Sequence, residues 1–261
     1  MMFKNKTIVL TGASGGIGSA IAKALSDEGA ILILTSRERD MLDELNHKLG
    51  GQHHCLMADL TTQEGLSDLV NLCRQFESGI DMLINNAGLS DFSLLENIEA
   101  DRIERLVTTN LISPMLVCQA LMPLLKAQHQ ARIINIGSTF GSIGFPGFSV
   151  YCGSKFGLRG FSEALRRELM DSSVAVYYFA PRATNTAINN NNVVMMNKEL
   201  KTTMDEPEVV AAKLISFLRR HSDINFYLGW PEKLFVRINS VLPQLVDKSI
   251  FKQLATIKRY L

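Results

Sequence analysis

The stretch Thr7-Ile-Val-Leu-Thr-Gly-Ala-Ser-Gly-Gly-Ile-Gly18 decides the fold, because it joins a β-rich run directly to a cluster of glycines. The run Thr7–Leu10 is typical of a buried strand, and a helical pattern of apolar residues, Gly16–Glu28, follows it. A glycine-rich turn at such a junction lets the backbone approach a diphosphate and presents unpaired helix N-terminal amides to its charge. Glycines also serve ordinary tight turns, so it is the position of the turn after a strand that favours a nucleotide site.

The same alternation of strand and helix patterns continues along the chain. Further strands are predicted at Ile31–Thr35, His54–Met57, Met82–Ile84, Ile133–Ile136, Ala175–Phe179 and Phe226–Leu228. Further helices are predicted at Arg39–Leu49, Thr62–Phe76, Ile103–Gln128, Tyr151–Met170 and Pro207–Arg220. Such alternation indicates βαβ units and a parallel sheet. The sequence therefore predicts an α/β fold: a single doubly wound Rossmann domain with a seven-stranded parallel sheet flanked by helices, plus an amphipathic helical tail.

Composition excludes several classes of protein. The chain has 261 residues, of which 46% are hydrophobic and 20% charged, enough for one sizeable core. Its net charge of +1 provides no overall electrostatic attraction to nucleic acid, so a nucleic-acid-binding protein is not expected. The four cysteines, Cys55, Cys73, Cys118 and Cys152, lack the spacing of metal ligands, so no metal is expected. The first ten residues lack an apolar stretch of signal-peptide length. We therefore expect a cytoplasmic protein with reduced thiols. This protein would be either free in the cytoplasm or peripheral to a membrane surface.

Two segments depart from the regular alternation. The connection at about 185–206 is long and contains an asparagine run, and it is a candidate lid over a substrate. We assign residues 1–230, including this lid, to the Rossmann domain and residues 231–261 to a basic C-terminal extension.

The extension carries a charge of +4 and a helical pattern that starts at Pro243. Its apolar residues Val246, Ile250, Leu254 and Ile257 recur on one side of that helix. A basic amphipathic helix can lie on an anionic membrane surface. The alternative is that this face packs on its own domain or on a partner subunit.

Ser36 and Arg37 stand at the end of the second strand, where a dinucleotide-binding domain reads the adenosine ribose. A carboxylate at this point would accept hydrogen bonds from a free 2′-hydroxyl group and repel a 2′-phosphate. Arg37 can instead pair with a 2′-phosphate, and Ser36 can donate a further hydrogen bond. The pair predicts NADP(H) rather than NAD(H), the alternative being that Arg37 is an ordinary solvated arginine.

Tyr151 and Lys155 lie four residues apart on a predicted helix, so their side chains share one face. A neighbouring ammonium group favours the phenolate, which predicts a lowered pKa for Tyr151 and a usable acid/base. Any Tyr-x-x-x-Lys pair is weak evidence alone. Ser138, directly after the fifth strand, strengthens the interpretation.

These motifs together resemble the short-chain dehydrogenase/reductase family over roughly the first 190 residues. The motifs that carry the resemblance are Thr11-Gly-x-x-x-Gly16-x-Gly18, Asp59-Leu60, Asn85-Asn86-Ala87-Gly88, Asn110, Ser138, Tyr151-x-x-x-Lys155 and Pro181 to Thr186. The resemblance implies hydride transfer between a nicotinamide and a carbonyl or alcohol carbon. It also implies a homodimer or homotetramer, often formed through the long helix and the helix that bears Tyr151.

The resemblance assigns a role to each catalytic position. Tyr151 would be the general acid, Ser138 would polarise the carbonyl oxygen, Lys155 would hold the nicotinamide ribose, and Asn110 would anchor a water that relays protons. Asp59 and Leu60 would flank the adenine, and Thr186 would bind near the nicotinamide amide. The complete predicted cofactor set is Gly12, Ser14, Gly16, Ile17, Gly18, Ser36, Arg37, Asp59, Leu60, Asn86, Ala87, Gly88, Tyr151, Lys155, Pro181, Thr184 and Thr186.

Two positions depart from the family pattern. Arg182 replaces the small residue that frequently follows Pro181, and it narrows the pocket, attracts an anionic substrate or points to solvent. Gly15 stands where many NADP-dependent relatives have a basic residue, so phosphate recognition would depend mainly on Arg37.

Phe145, Phe148, Met195 and Met196 lie near the catalytic motifs and suit an apolar substrate, such as a ketone or a 3-oxoacyl chain, although they also suit ordinary core packing. The leading interpretation is an NADP(H)-dependent carbonyl reductase or alcohol dehydrogenase. A catalytically silent sensor of NADP(H) and a peripheral membrane scaffold are the competing ones.

Overall fold

Seven strands form one parallel sheet in the order β3-β2-β1-β4-β5-β6-β7. The computed structural model describes residues 3–220 and 225–261. The strands are β1 (Thr7–Thr11), β2 (Ile31–Ser36), β3 (His54–Met57), β4 (Met82–Asn85), β5 (Ala131–Ile136), β6 (Val174–Ala180) and β7 (Asn225–Tyr227). The predicted doubly wound fold is confirmed. The strand order reverses between β1 and β4, and in such sheets ligands bind beyond the carboxyl ends of the strands at that point.

Helices cover both faces of the sheet. They are α1 (Gly16–Asp27), α2 (Arg39–Lys48), α3 (Gln63–Cys73), α4 (Ala100–Val107), α5 (Ser113–Lys126), α6 (Ser149–Glu168), α7 (Asn191–Glu199), α8 (Pro207–Arg220), α9 (Glu232–Val241) and α10 (Pro243–Lys258). A π-helical turn, Thr108–Ile112, joins α4 to α5 without a break. The predicted helix at Ile103–Gln128 is therefore a longer, continuous element that begins at Ala100.

The core consists of two apolar layers, one on each side of the sheet. Along β1, Ile8 and Leu10 face the layer formed with α1 and α8, whereas Val9 faces the layer formed with α3 and α5. Side chains alternate across a strand, so a strand covered on both faces is apolar at every position. All five residues of β1 are buried, which fixes the glycine turn that follows it.

The helix Ala100–Lys126 is long and apolar enough to cross a membrane, the single such helix in the described part of the chain. Its residues Val117, Leu121 and Leu125 are fully buried in the layer against the sheet. Length and composition alone do not distinguish a membrane-spanning helix from a core helix.

The C-terminal extension forms two helices rather than one. As predicted, α10 begins at Pro243, but α9 precedes it and packs against it. Val246 and Ile257 of the predicted apolar face are buried, and Ile257 packs on Val193 and Met196 of α7. Part of the face identified from the sequence therefore packs on the protein's own lid, whereas Ile250 and Leu254 remain half-buried.

Candidate active site

A cleft with a volume of about 470 Å³ lies beyond the carboxyl ends of β1, β2, β4, β5 and β6. The entire predicted cofactor set lines this cleft, namely Gly12, Ser14, Gly16, Ile17, Gly18, Ser36, Arg37, Asp59, Leu60, Asn86, Ala87, Gly88, Tyr151, Lys155, Pro181, Thr184 and Thr186. Ser138 of the predicted catalytic set also lines it, whereas Asn110 is buried behind its wall. The fold thus brings together residues that are separated by as much as 174 positions in the sequence.

The glycine turn is shaped by close backbone contacts. Gly12 has a φ of 62°, and a Cβ atom there would lie 2.7 Å from the Cα of Ala87. A Cβ atom at Gly18 would lie 2.1 Å from the carbonyl oxygen of Gly12. Helix α1 starts at Gly16 with no side-chain cap and no acidic residue in its first turn. Its first amides therefore face the cleft, and this arrangement fits the diphosphate of a dinucleotide.

Asn86 and Thr11 fasten the glycine turn to the loop after β4. The amide nitrogen of Asn86 donates to the carbonyl oxygens of Thr11 and Gly12, both at 3.0 Å. The hydroxyl of Thr11 accepts hydrogen bonds from the backbone N–H groups of Asn86 and Ala87. These bonds fix the two loops that meet at the reversal of strand order.

The adenosine end of the cleft carries a polar cluster at the end of β2. The hydroxyls of Ser14 and Ser36 are 2.6 Å apart, and Arg37 is exposed at the rim. Burial works to raise the pKa of Asp59, but hydrogen bonds from Thr61 and the charge of Arg37 lower it below its usual value. Two hydroxyls and a guanidinium group at one rim suit a phosphorylated ribose.

Thr186 lines the opposite end of the cleft. Its Oγ1 atom is buried and has no hydrogen-bond partner among the described residues. A Cβ atom at Gly16 would lie 2.7 Å from the Cγ2 of Thr186, so this residue contacts the start of α1. A buried hydroxyl without a partner is costly, and the amide of a bound nicotinamide fits it.

Tyr151 and Lys155 project from α6 toward Ser138, which follows β5. The ammonium group of Lys155 donates to the carbonyl oxygen of Ile136 at 3.0 Å and lies 5.9 Å from the centre of the Tyr151 ring. Burial lowers the pKa of Lys155 to about 8. Burial also raises the pKa of Tyr151 to about 12, although a hydrogen bond with the Ser138 side chain opposes the change. The predicted lowering of the tyrosine pKa is wrong, because removal of the phenol from water raises it.

Asn110 lies in the π-helical turn and is fully buried. Its amide oxygen accepts from the backbone N–H of Leu89 at 2.7 Å, and its amide nitrogen donates to Leu89 and to the hydroxyl of Ser154. Single π-helical turns frequently occur at functional sites. The side chain therefore holds the loop after β4 to the start of α6, where Tyr151 lies.

Tyr178 of β6 is a neighbour of Ser138 that the motifs did not reveal. Its hydroxyl donates to the Ser138 carbonyl oxygen at 3.1 Å and accepts from the Ser138 N–H at 3.2 Å. The side chain is fully buried, and Cβ atoms at Gly137 and Gly141 would lie within 2.1 Å of it. Gly137 and Gly141 were the available sequence signal, because two glycines close to Ser138 indicate that another group approaches the backbone there. They do not identify the strand from which that group, the Tyr178 side chain, comes.

We expect Tyr178→Phe to lower turnover by about tenfold, because each lost hydrogen bond is worth about 0.5–1.5 kcal/mol and the backbone of Ser138 loses two. The ring still fills the space beside Gly137, so the affinity for NADPH should not change. Steady-state kinetics and a cofactor titration check both statements. Tyr177→Phe is the matched control, because Tyr177 points to the other side of the sheet and packs against Phe217. Equal turnover in the two variants would contradict a positioning role.

Arg182 lines the cleft, as expected of a residue that narrows the pocket, and the alternative that it points to solvent is wrong because its side chain is only 15% exposed. Its guanidinium group pairs with Asp205 through two bonds of 2.8 and 2.9 Å, and with Glu232 at 3.3 Å. The hydrogen bonds and charge of Asp205 are the main reason that its pKa is raised. Arg182 therefore ties the end of β6 to the far end of the lid and to α9, and its charge is neutralised.

The catalytic end of the cleft is apolar. Phe140, Phe145, Phe148, Val193 and Met196 line it, the last two from α7 of the lid. The rings of Phe140 and Phe148 pack edge to face on Tyr151, with centroids 6.4 and 6.2 Å away. The sequence prediction is wrong for Met195, which is exposed and does not line the cleft. This chamber suits an apolar group beside the phenol of Tyr151.

Comparison with known proteins identifies the family. The short chain dehydrogenase family model matches residues 6–197. An uncharacterized oxidoreductase of Staphylococcus saprophyticus is 32% identical over 88% of this chain and 92% of its own. The 3-oxoacyl-[acyl-carrier-protein] reductase of Escherichia coli is 33% identical over 69% of this chain and 74% of its own.

Solved structures agree with the fold. A metagenomic short-chain oxidoreductase in complex with NADP superimposes with a TM-score of 0.74 and 25% identity, covering 87% of this chain and 98% of its own. Structures with this fold contain NAD in some cases and NADP in others. The family match and the cleft lead to one conclusion: the chain belongs to the short-chain dehydrogenase family of oxidoreductases.

Proposed function

We propose that this protein is an NADP(H)-dependent reductase of an apolar ketone or 3-oxoacyl substrate. The observation that carries the proposal is the convergence of Ser138, Tyr151 and Lys155 on the apolar end of a dinucleotide-shaped cleft. A silent NADP(H) sensor has no chemical need for this acid/base group. The similar 3-oxoacyl-[acyl-carrier-protein] reductase of Escherichia coli supports a carbonyl substrate.

The predicted cofactor set would bind NADP(H) along the cleft. Arg37 and Ser36 would contact the 2′-phosphate, the first amides of α1 would receive the diphosphate, and Thr186 would bind the nicotinamide amide. Lys155 would donate hydrogen bonds to the ribose of the nicotinamide. When bound, the cofactor supplies the hydride.

Tyr151 would protonate the carbonyl oxygen of the substrate as hydride arrives at carbon. The raised pKa of about 12 keeps this phenol protonated at neutral pH, and this favours the reductive direction. Ser138 would donate to the same oxygen and orient it. Asn110 would hold the loop at Leu89 in a fixed position relative to the start of α6. We propose that a water beside Asn110 relays protons to Tyr151.

An apolar, uncharged substrate group suits the chamber. The cation at its lip, Arg182, is neutralised by Asp205 and Glu232, so an anionic group would find no free partner there. The thioether of Met196 and three phenylalanine rings accommodate an alkyl or acyl chain. We propose that α7 and its flanking residues, about 185–206, act as the lid over this chain.

We propose a cytoplasmic homodimer or homotetramer. Ile112, at the end of the π-helical turn that leads into α5, and Phe156, on α6, are exposed apolar residues on the two helical elements that the resemblance implicates in assembly. All four cysteines are unpaired, which fits a reducing compartment. Light scattering measures the number of subunits, and a monomer would overturn the assembly.

The direct test is oxidation of NADPH by the purified protein with a series of apolar ketones and 3-oxoacyl thioesters of increasing chain length. We expect turnover to rise with apolar chain length until the chamber is filled, and carboxylated analogues of the same length to react poorly. No turnover across the series, together with tight NADPH binding, would favour the sensor instead.

We also expect a characteristic dependence on pH. Lys155 is charged only below its pKa of about 8, whereas Tyr151 stays protonated to about 12. The kcat/KM for reduction should therefore be constant below about pH 8 and fall above it, because the neutral amine interacts more weakly with the ribose. Oxidation of the alcohol needs the phenolate and should become faster as pH rises. A reduction profile that stays flat well above pH 8 would contradict the role of the charged lysine.

A further inference from the structure

The turn between α9 and α10 exposes apolar side chains. Val241, Leu242 and Leu245 are 75%, 55% and 53% exposed, and they follow one another closely in the chain. We name these three residues the apolar tip. It is a different set from the face predicted from the sequence, of which Ile257 packs on the lid. Exposed apolar side chains that cluster in this way mark interaction sites.

Cations flank the apolar tip on both sides. Arg237 lies one turn before it on α9, and Lys248 lies one turn after Leu245 on α10, followed by Lys252. All three are exposed and form no salt bridge within residues 3–220 and 225–261. Asp247, the only acidic residue of α10, offsets one of these charges.

Basic residues around an apolar tip suit an anionic lipid bilayer. Lysine and arginine can lay their alkyl stems along the apolar side chains and extend their charged ends to lipid phosphates. A second copy of the same surface is a poorer partner, because a two-fold contact would bring Arg237, Lys248 and Lys252 of one copy against the same cations of the other. Charge complementarity therefore favours lipid.

The apolar tip is also connected to both sides of the active site. Asn239, two residues before Val241, donates to the carbonyl oxygen of Ser142 at 2.9 Å, in the loop that begins at Ser138. At the other end of α10, Asn192 of the lid donates to the carbonyl oxygen of Tyr260 at 2.9 Å. A membrane held at the tip would thus lie near the catalytic loop, whereas the contact with the lid is at the far end of α10, about 24 Å along the helix.

We propose that the apolar tip and its flanking cations are a docking surface for anionic membranes. The surface would place the enzyme where apolar substrates are concentrated. The proposal concerns binding alone, so it can fail or succeed independently of the reaction assigned to the cleft.

The experiment is co-sedimentation of the full chain with phosphatidylcholine vesicles that either contain or lack phosphatidylserine. We expect binding only to the phosphatidylserine vesicles, and weaker binding as salt is raised. The double variant Val241→Ser/Leu245→Ser should lower the affinity at least about tenfold, because both side chains would insert at the interface. The double variant Lys248→Glu/Lys252→Glu should do the same, because each cation near an anionic surface contributes favourably.

Two matched controls separate these effects from general changes in the surface. Leu95→Ser/Met170→Ser removes two residues with exposures of 60% and 69% that lie outside the extension. Lys126→Glu/Lys213→Glu makes the same change in net charge on other helices. Both should bind vesicles like the unmodified protein, and an unchanged affinity for NADPH will show that every variant is folded.

Four results would overturn the proposal, the first three of which concern vesicle binding alone. These three are equal binding by the tip variant and its control, equal binding to vesicles with and without phosphatidylserine, and no vesicle binding by the unmodified chain at low salt. A change in subunit number on mutation of the tip, with vesicle binding unchanged, would also overturn it and assign the tip to a subunit interface.

Discussion

Tyr151→Phe should lower the rate of NADPH-dependent reduction by about 10²- to 10⁴-fold, the range expected when a general acid is removed. The phenol is the acidic group that faces the apolar chamber, and Ser138 keeps its own hydroxyl in the variant. The phenylalanine ring keeps the edge-to-face contacts with Phe140 and Phe148, so α6 should retain its position. The dissociation constant for NADPH should therefore remain within a factor of about two.

Single-turnover kinetics with a saturating ketone, and fluorescence titration with NADPH, measure the two quantities separately. Tyr177→Phe is again the control, because it removes a tyrosine hydroxyl without touching the cleft. A variant that retains full activity would show that another group protonates the substrate. A variant that loses NADPH binding as well would show that Tyr151 acts mainly in holding the cofactor.

Much of the site could be predicted from the sequence because its residues follow strand ends. In a parallel sheet, the carboxyl ends of neighbouring strands meet at one edge. Gly12 after β1, Ser36 at the end of β2, Asn86 after β4 and Ser138 after β5 therefore meet at one edge once the strand order is known. Tyr151 and Lys155 needed only helical spacing to be placed on one face.

The remaining features depend on contacts between distant segments. Arg182 pairs with Asp205 and Glu232, which lie 23 and 50 residues away in the chain. The local sequence around Arg182 therefore did not reveal that the charge of its guanidinium group is neutralised. The contact between Tyr178 and Ser138 spans 40 residues. Periodicity identified the apolar face of α10, but only the packing against Val193 and Met196 shows that Ile257 of this face contacts the lid.

The direction of the Tyr151 pKa illustrates a second limit. Spacing predicted that Lys155 would favour the phenolate, and the two side chains do share one face of α6. The ammonium group, however, donates to Ile136, and the phenol is removed from water among aromatic rings. Burial of the phenol therefore raises its pKa. Sequence spacing reports which groups are near each other, but it does not report how much water surrounds them.

The second large effect is expected at Arg37. Arg37→Ala should raise the dissociation constant for NADPH by about ten- to a hundredfold, since a hydrogen bond to a charged group is worth about 1.5–3 kcal/mol. The affinity for NADH, which lacks the 2′-phosphate, should change little. Arg37→Asp should go further and reverse the preference, because a carboxylate accepts hydrogen bonds from the ribose hydroxyl and repels the phosphate.

Arg39→Ala is the matched control for this prediction. Arg39 is an exposed arginine two residues away that does not line the cleft and lies 3.9 Å from Asp43. Arg39→Ala changes the net charge by the same amount as Arg37→Ala. Comparison of the two variants therefore separates a direct contact between Arg37 and the phosphate from the general electrostatic potential at the rim of the cleft. If Arg37→Ala and Arg39→Ala weaken NADPH binding equally, Arg37 acts only through that field. If Arg37→Ala leaves the ratio of NADPH to NADH affinity unchanged, Arg37 does not contact the phosphate.

Because a direct contact at an exposed rim is partly screened by salt, the ratio of NADPH to NADH affinity should also fall as salt is raised in the unmodified protein, but not in Arg37→Ala.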